Sequence, residues 1–368
     1  MPFEDLRYQT VRRSPEEMLR HLQTFELKPR LSVGIWFFAP GGGRFHQAYT
    51  TPKTVEERIE MAAGLAKYGI TGIEAHYPSE VNEENLHLYQ RLEKEAGIRL
   101  VGVGPYMFNY AASEFGTLSN PYADQREASR QEMVNTLKLV KACGANAMGL
   151  WPGIDGYTVS YGHNYYDMWD RYEDAVVSAM DEVPGVRMAF ESKPYEPIPN
   201  NIYRTAADGM LFAHDVEKKL THPINRQLLA EGHALMAMQP EIGHIRMGFE
   251  DVPYVFSRMA REGRLANTHW NSQPLGNYDQ DLNVGAVEWE QAEAGLYALK
   301  MAGYTGNYTF DLNPERMPLE KSIEINTTAI RIMNERINEL PHEQILECYF
   351  DPKNHRGDLE LLLAKHRR

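Results

Sequence analysis

The sequence is poor in cysteine and has no long apolar run. Two cysteines among 368 residues are too few for a disulfide framework or for a zinc site built from thiolates. No stretch of about 18 apolar residues occurs, and the opening residues MPFEDLRYQTVRRSPEE lack the apolar core that a signal peptide needs. We therefore expect a cytoplasmic protein with no membrane partner.

Positive charge is also scarce. Lys and Arg number 38 against 51 Asp and Glu, which gives a formal net charge of −13. Because a protein that binds the nucleic acid backbone needs a basic surface, this balance argues against a nucleic acid partner. Apolar residues make up 43% of the chain, which is enough for a full core. Part of the acidic excess is available as ligands for metal ions.

Short apolar runs alternate with longer amphipathic stretches, which is typical of repeated βα units around a parallel sheet. Amphipathic stretches such as REASRQEMVNTLKLVKACG end in Gly, as helix C-termini often do. No G-x-G-x-x-G motif follows the first predicted strand, which argues against a dinucleotide-binding sheet. The predicted strands lie near Leu31–Phe38, Ile70–Ala75, Leu100–Val103, Ala147–Trp151, Arg187–Glu191, Ala234–Gln239, Leu265–His269 and Tyr308–Asp311.

Eight βα units over about 300 residues predict an α/β fold, a (β/α)8 TIM barrel with a short C-terminal extension. We assign residues 1–30 to an N-terminal segment, 31–340 to the barrel and 341–368 to a C-terminal tail. The tail is predicted either to pack on a neighbouring subunit or to cap the surface of its own barrel.

Active sites of such barrels lie where the C-terminal ends of the strands meet. Polar or aromatic side chains follow six of the predicted strands at this end, and two more lie in the loop after strand 7. In chain order they are His76, Trp151, Glu191 with Lys193, Glu241 with His244, His269, Asp279 with Asp281, and Asp311.

Carboxylates that share one rim repel each other unless cations lie between them. We expect two divalent cations. Oxygen ligands with some imidazole and no thiolate favour Mg²⁺, Mn²⁺ or Co²⁺ over a structural zinc. The first cation is assigned to Glu191, Glu241, His269 and Asp311, and Glu241 bridges to a second cation held by His244, Asp279 and Asp281.

Each candidate alone also has an ordinary structural interpretation. Carboxylates and imidazoles at strand ends are typical of solvated turns, helix N-caps and buried salt bridges, so only their joint placement favours a site. Lys193 suits a counter-ion for Glu196 as well as a group that polarises a substrate oxygen. Trp151 suits a core aromatic as well as an apolar wall for a sugar.

Five segments in the same order resemble motifs of the xylose isomerases and their relatives the rhamnose isomerases, over about Leu31 to Leu340. LWPGIDGY is similar to W-G-G-R-E-G, FESKPYEP to E-x-K-P-x-E-P, PEIGHIRM to E-x-x-H, YDQDLNVG to D-x-D-x-x-x-G and FDLNPER to F-D-x-K. The resemblance implies an aldose–ketose isomerase that uses two divalent metals and a 1,2-hydride shift. It also implies a homo-oligomer, a tetramer, with the tail between subunits.

The resemblance assigns roles to single residues. Lys193 would hold the oxygen next to the reacting carbon, and His76 would assist opening of the sugar ring. A structural metal would be bound by Glu191, Glu241 and Asp311, and a catalytic one by Glu241, His244, Asp279 and Asp281.

The sequence departs from the family pattern at two places. His269 stands where xylose isomerases have aspartate, as it does in rhamnose isomerases and the related epimerases. The family's acidic residues after the ring-opening histidine are absent, since Tyr77-Pro78-Ser79 follows His76. Glu80 is the next carboxylate available to orient that imidazole.

Other functions fit the same barrel. A one-metal keto-sugar epimerase or lyase is the main alternative, although it leaves Asp279 and Asp281 without a duty and usually has a longer Glu in place of Asp311. A phosphodiesterase of the endonuclease IV type would need a basic cluster, which the acidic chain lacks. A non-catalytic barrel that binds a sugar completes the set. A small-molecule sugar is the expected partner.

Overall fold

The centre of the fold is a ring of short parallel strands, seen in a computed structural model that describes residues 12–38, 50–108, 110–314 and 316–366. The strands are β1 Arg30–Gly34, β2 Ile70–Tyr77, β3 Arg99–Pro105, β4 Ala147–Leu150, β5 Met188–Phe190, β6 Met236–Met238, β7 Asn267–Trp270 and β8 Asn307–Phe310. The sheet order is β6-β5-β4-β3-β2-β1-β8-β7, and parallel bridges from Met238 to Leu265 and from Glu241 to His269 join the segments of β6 and β7. The predicted (β/α)8 barrel is therefore confirmed.

The first predicted strand was drawn too long. β1 ends at Gly34, and the chain continues as a 3-10 helix over Ile35–Phe38. The error has a simple cause, because the apolar letters IWFF continue the run after Val33 without alternation. A continuous apolar run does not distinguish a buried strand from a buried helical turn. The turn directs Trp36 towards the rim of the barrel.

Helices surround the ring and cover the outer face of the strands, so β5 and β6 are buried on both faces. The helices are α1 Pro15–Thr24, α2 Val55–Ala63, α3 Leu86–Ala96, α4 Ala123–Cys143, α5 Tyr165–Glu182, α6 Ala206–Lys219, α7 Pro223–Ala230, α8 Ile242–Met247, α9 Val252–Arg261, α10 Trp289–Ala302, α11 Leu319–Glu339, α12 His342–Phe350 and α13 Asp358–Lys365. Capping boxes begin α1 at Ser14, α2 at Thr54 and α6 at Thr205.

The C-terminal tail forms two helices beyond the last barrel helix. α12 packs against α1, whereas α13 contacts α12 and buries none of its residues. Among the described residues, no helix combines the length and the apolar character needed to span a bilayer.

Candidate metal centre

The C-terminal rim of the barrel brings the seven predicted metal ligands together. Three sets of ligand atoms, each set within 4.8 Å of one another, occur there, and Glu241 belongs to all of them. They are Glu191 with Glu241 and His244, Glu241 with His269 and Asp311, and Glu241 with Asp279 and Asp281.

Local structure explains why Glu241 and His244 face the same space. Glu241 is the N-cap of α8, and His244 follows it by one helical turn, so the two side chains lie on one face of the helix. His244 Nε2 is 3.4 Å from Glu241 Oε2 and 3.1 Å from Asp279 Oδ2. The interpretation of Glu-x-x-His as a pair on an exposed turn is wrong, since both side chains are buried.

Both imidazoles direct Nδ1 at Glu191. His244 Nδ1 lies 3.2 Å from Glu191 Oε1, and His269 Nδ1 lies 2.9 Å from Glu191 Oε2 and 3.3 Å from Asp311 Oδ2. Despite these short distances, neither Nδ1 has a partner in hydrogen-bond geometry within the described part of the chain. Buried nitrogens that face carboxylates without such geometry are suitable ligands for a shared cation.

The cluster is short of positive charge. Burial raises the pKa of Glu241 well above its ordinary range, and Asp279 and Glu191 add to the shift against the opposing charge of His244. Burial, Asp279 and Asp311 raise the pKa of Asp281 in the same way. Although burial opposes a charge on His244, Glu241 and Asp279 raise its pKa to about 10. These groups bind protons readily because the site lacks positive charge. Divalent cations bound here would supply that positive charge and displace the protons.

Lys193 reaches the same rim from the loop after β5. Its Nζ lies 2.8 Å from Asp279 Oδ2 and 3.8 Å from Glu196 Oε2, and it sits 5.2 Å from the centroid of a ring of Trp151. Burial opposes the ammonium charge, yet Asp279 raises the pKa of Lys193 above its usual value. Asp279 Oδ1 is buried and has no hydrogen-bond partner among the described residues. Asp279 can therefore ligate a metal through Oδ1 while Oδ2 holds the ammonium group.

Trp151 is half-buried and belongs to a row of aromatic rings along one side of the rim. Its ring is 5.1 Å from that of Phe108, and Phe108 is 5.7 Å from His76. His76 is in turn 4.8 Å from Trp36. This row forms an apolar wall beside the carboxylates, the arrangement against which a sugar packs its C–H face.

His76 has the carboxylate partner that its local sequence leaves uncertain. Glu80 Oε2 lies 3.0 Å from His76 Nδ1 and also accepts the His76 backbone N–H at 2.8 Å. Arg58 Nη1 donates to Glu80 Oε1 at 2.8 Å, which anchors the carboxylate. The imidazole therefore keeps Nε2 for a ligand in the rim.

Sequence reasoning missed several residues that support the ligands. Asn271 Nδ2 donates to Glu241 Oε1 at 2.8 Å and to Asp281 Oδ1 at 2.9 Å. Trp36 Nε1 donates to Asp311 Oδ1 at 2.8 Å. Asn271 follows His269 by two residues, which is the only signal in the sequence that places it on the same side of the chain.

A polar layer also lies one level below the rim, where apolar side chains usually fill such a barrel. Its members are buried and precede rim residues by two on β2, β7 and β8 and at the end of β6. They are Glu74, Asn267, Thr309 and Gln239, two before His76, His269, Asp311 and Glu241. Side chains two apart on a strand point the same way, so this spacing is the signal that could have found them.

Known proteins resemble this chain in sequence and in fold. A model of the xylose isomerase-like TIM barrel family matches residues 62–324. The xylose isomerase of Thermus thermophilus is 23% identical over 317 residues, covering 81% of this chain and 77% of that protein. Among solved structures, the 3-keto-D-glucoside 4-epimerase of E. coli has a TM-score of 0.58 at 12% identity, over 84% of this chain and 100% of that chain. An L-ribulose 3-epimerase has a TM-score of 0.59 at 15% identity, over 84% and 96% of the two chains.

The matched region runs from α2 into α11 and includes all the candidate site residues. The relatives named above are a sugar isomerase and sugar epimerases. Because the family model matches well over half of the sequence, this chain belongs to the xylose isomerase-like TIM barrel family.

Proposed function

We propose that the protein is an aldose–ketose isomerase that uses two divalent cations, Mn²⁺, Co²⁺ or Mg²⁺, and a 1,2-hydride shift. The observation that carries the proposal is the position of Glu241. Its carboxylate belongs both to the set with His269 and Asp311 and to the set with Asp279 and Asp281. A carboxylate shared by two ligand sets is the arrangement that a two-metal site requires.

The first cation would be held by Glu241, His269 and Asp311 together with Glu191, which lies 2.9 Å from His269 Nδ1. The second would be held by Glu241, Asp279 and Asp281 together with His244, which lies 3.1 Å from Asp279 Oδ2. When bound, the cations supply Lewis-acid polarisation of the substrate carbonyl and neutralise the carboxylates. The protein's own contribution is to hold these side chains rigidly, since Asn271 and Trp36 fix one oxygen each on Asp281 and Asp311.

The remaining proposed roles follow from the contacts of Lys193, His76 and Trp151. Lys193, held by one oxygen of Asp279, places a charged donor beside the ligands, where it stabilises a developing negative charge on a substrate oxygen. His76, held through Nδ1 by Glu80, offers Nε2 to move a proton as the sugar ring opens. Trp151 and the row of rings leading to Trp36 cover the apolar face of the sugar.

The alternative is a one-metal keto-sugar epimerase, which is supported by the sugar epimerases among the proteins of similar fold. Such an enzyme needs one ligand set and a carboxylate base, and leaves the second set unused. Two observations favour two metals over one. Asp279 Oδ1 is buried without a hydrogen-bond partner in the described chain, and Asp281 is held by Asn271 in a left-handed backbone conformation at φ 43°. Residues held in such a conformation cluster at functional sites.

The test is a product-resolved screen of metal-loaded protein against pentoses, hexoses and deoxy sugars. The best aldose is then used with deuterium at C2. A hydride shift moves that label to C1 of the ketose, so we expect full retention in the product. Complete exchange of the label with water would instead indicate proton transfer by a base, as in an epimerase, and would overturn the proposed mechanism.

Asp281→Asn separates the two functions at one residue. Asn tolerates the left-handed backbone of position 281 as well as Asp does, so the substitution removes only the charge. We expect the variant to keep about one metal per chain of the two and to lose isomerisation, because the second ligand set is broken. The control is Asp215→Asn, which changes a half-buried aspartate on α6 that pairs with the exposed Lys218. Full turnover at one metal per chain in both the wild type and Asp281→Asn, with metal content measured by mass spectrometry, would contradict the two-metal site.

We also propose that the enzyme is a homo-oligomer, a tetramer, whose tail packs on another subunit. The support is α13, on which Leu359, Leu361 and Leu363 are exposed and no residue is buried. Exposed apolar side chains on one short helix are typical of a surface that another chain covers. Light scattering at micromolar concentration should give a multiple of the 42.2 kDa chain, and a monomer would refute the proposal.

A further inference from the structure

Glu74 is a buried carboxylate that the proposed function does not use. It lies on β2, two residues before His76, and its side chain points into the barrel below the rim. Its Oε1 accepts hydrogen bonds from Asn267 Nδ2 at 2.5 Å and from Thr309 Oγ1 at 2.6 Å. Gly102 on β3 leaves the room for it, since a Cβ there would lie 3.1 Å from Glu74 Cδ. Burial of a carboxylic acid in the barrel interior costs free energy, which indicates that Glu74 has a specific role.

The second oxygen of Glu74 faces the metal ligand His269. Glu74 Oε2 lies 3.4 Å from His269 Nε2, on the side of the imidazole away from the rim. The other nitrogen, Nδ1, faces Glu191 and Asp311. A neutral imidazole carries one proton, and the nitrogen that carries it cannot bind a metal.

We propose that Glu74 is a positioning residue that holds the ring proton of His269 on Nε2 and so keeps Nδ1 free as a metal ligand. This inference rests on the proposed metal centre. A carboxylate behind a ligand histidine sets the tautomer and the orientation of the ring, and its loss typically costs about 10- to 100-fold in metal affinity. The hydrogen-bond partners of the two Glu74 oxygens support this role. Asn267 and Thr309 both donate to Oε1, so Oε2 is left for His269.

Glu74→Gln tests the role because it changes the hydrogen bonds while keeping the shape. Asn267 and Thr309 both donate to Oε1, so we expect the amide oxygen of Gln to take that place and its NH₂ group to face His269 Nε2. That contact requires Nε2 to accept, which moves the ring proton to Nδ1. A residue that only fills space would be replaced by Gln without consequence.

The measurement is Mn²⁺ binding by titration calorimetry, with the tautomer of His269 read from its ¹⁵N shifts in the metal-free protein. We expect Glu74→Gln to weaken the first site at least about 10-fold and to move the proton to Nδ1, while the second site keeps its affinity. Glu74→Asp, which keeps the charge but withdraws it from His269, should weaken the same site. The control is Ser32→Ala, which removes a buried hydrogen bond to Thr309 in the same layer and none from Glu74 or His269, and should bind Mn²⁺ as the wild type does.

The outcomes separate this inference from the proposed function. If the wild type binds no metal, the metal centre itself is wrong. If the wild type binds two ions and Glu74→Gln binds both as tightly with the proton still on Nε2, the positioning role alone is overturned. Equal weakening in Glu74→Gln and Ser32→Ala, with an unchanged tautomer, would also overturn it, because a general loss of packing would then explain the effect.

Discussion

The two ends of the barrel differ in the balance of their buried charges. At the N-terminal end, Arg264 donates to both oxygens of Glu217, at 3.0 and 2.6 Å, and to the Met236 carbonyl. Glu217 also accepts the backbone N–H groups of Leu235 and Met236. One cation meets one carboxylate there. At the C-terminal end, five carboxylates meet one ammonium group and two imidazoles.

The difference lies in the balance of charge. A buried ion pair of one cation and one carboxylate needs no further charge from outside the chain. A cluster with an excess of carboxylates is stable only with cations from solution, which makes its charge dependent on a ligand. Burial and charged side chains alone would not distinguish the two ends, whereas the balance of charge does.

Removal of metal should have the largest effect on turnover, and it should affect only the C-terminal end of the barrel. We expect chelation to abolish turnover. Activity should return better with Mn²⁺ or Co²⁺ than with Mg²⁺, because the imidazole of His269 favours later transition metals. Turnover is measured after each metal is added back to chelated, dialysed protein. Equal or better recovery with Mg²⁺ would argue against His269 as a ligand.

Lys193→Met should have the next largest effect on turnover. The variant removes the only ammonium group placed in contact with the ligand cluster in the described chain, so kcat should fall by two or more orders of magnitude, about 3 kcal/mol. Metal content should stay near that of the wild type, since Lys193 is not a ligand. The control is Lys218→Met, whose exposed ammonium group pairs with Asp215 on α6. A fully active Lys193→Met would reduce the lysine to a counter-ion.

Arg264→Met should have the smallest effect on turnover, although it disrupts the other end. It leaves Glu217 buried without its cation, so the free energy of unfolding in urea should fall by about 3–5 kcal/mol. The folded protein should keep its metal content and its kcat. Adding Glu217→Gln should recover much of the stability, because the unpaired charge is then removed while an amide oxygen still accepts the N–H groups of Leu235 and Met236. Loss of bound metal in folded Arg264→Met would show that the two ends are coupled.

The prediction of the fold succeeded because it rests on local signals. Eight apolar runs separated by amphipathic stretches give the same barrel wherever their exact ends lie. The boundaries were weaker, as the extension of β1 over Ile35–Phe38 shows, since an apolar run has no periodicity to mark its end. Trp36 was consequently read as part of a strand, although its indole contacts Asp311 at the rim.

The candidate site divides in the same way. The sequence places a carboxylate or an imidazole at the end of each strand from β5 to β8, and strand direction alone brings such ends to one rim. It does not say which atom faces which. Glu80 was the next carboxylate available to His76, and the structure places its Oε2 3.0 Å from His76 Nδ1. Glu196 was a suggested counter-ion of Lys193, whereas the structure places Asp279 nearer, at 2.8 Å against 3.8 Å.

The sequence by itself therefore determined the barrel and the collection of carboxylates and imidazoles on its rim, because these depend on periodicity and strand polarity. Only the tertiary structure decided the pairings that set the function of single atoms. Glu74 and His269 are 195 residues apart, and their contact exists only because the closed ring brings β2 and β7 to opposite sides of one narrow interior. A hydrogen bond depends on distances of a few tenths of an ångström, which no local pattern in the chain encodes.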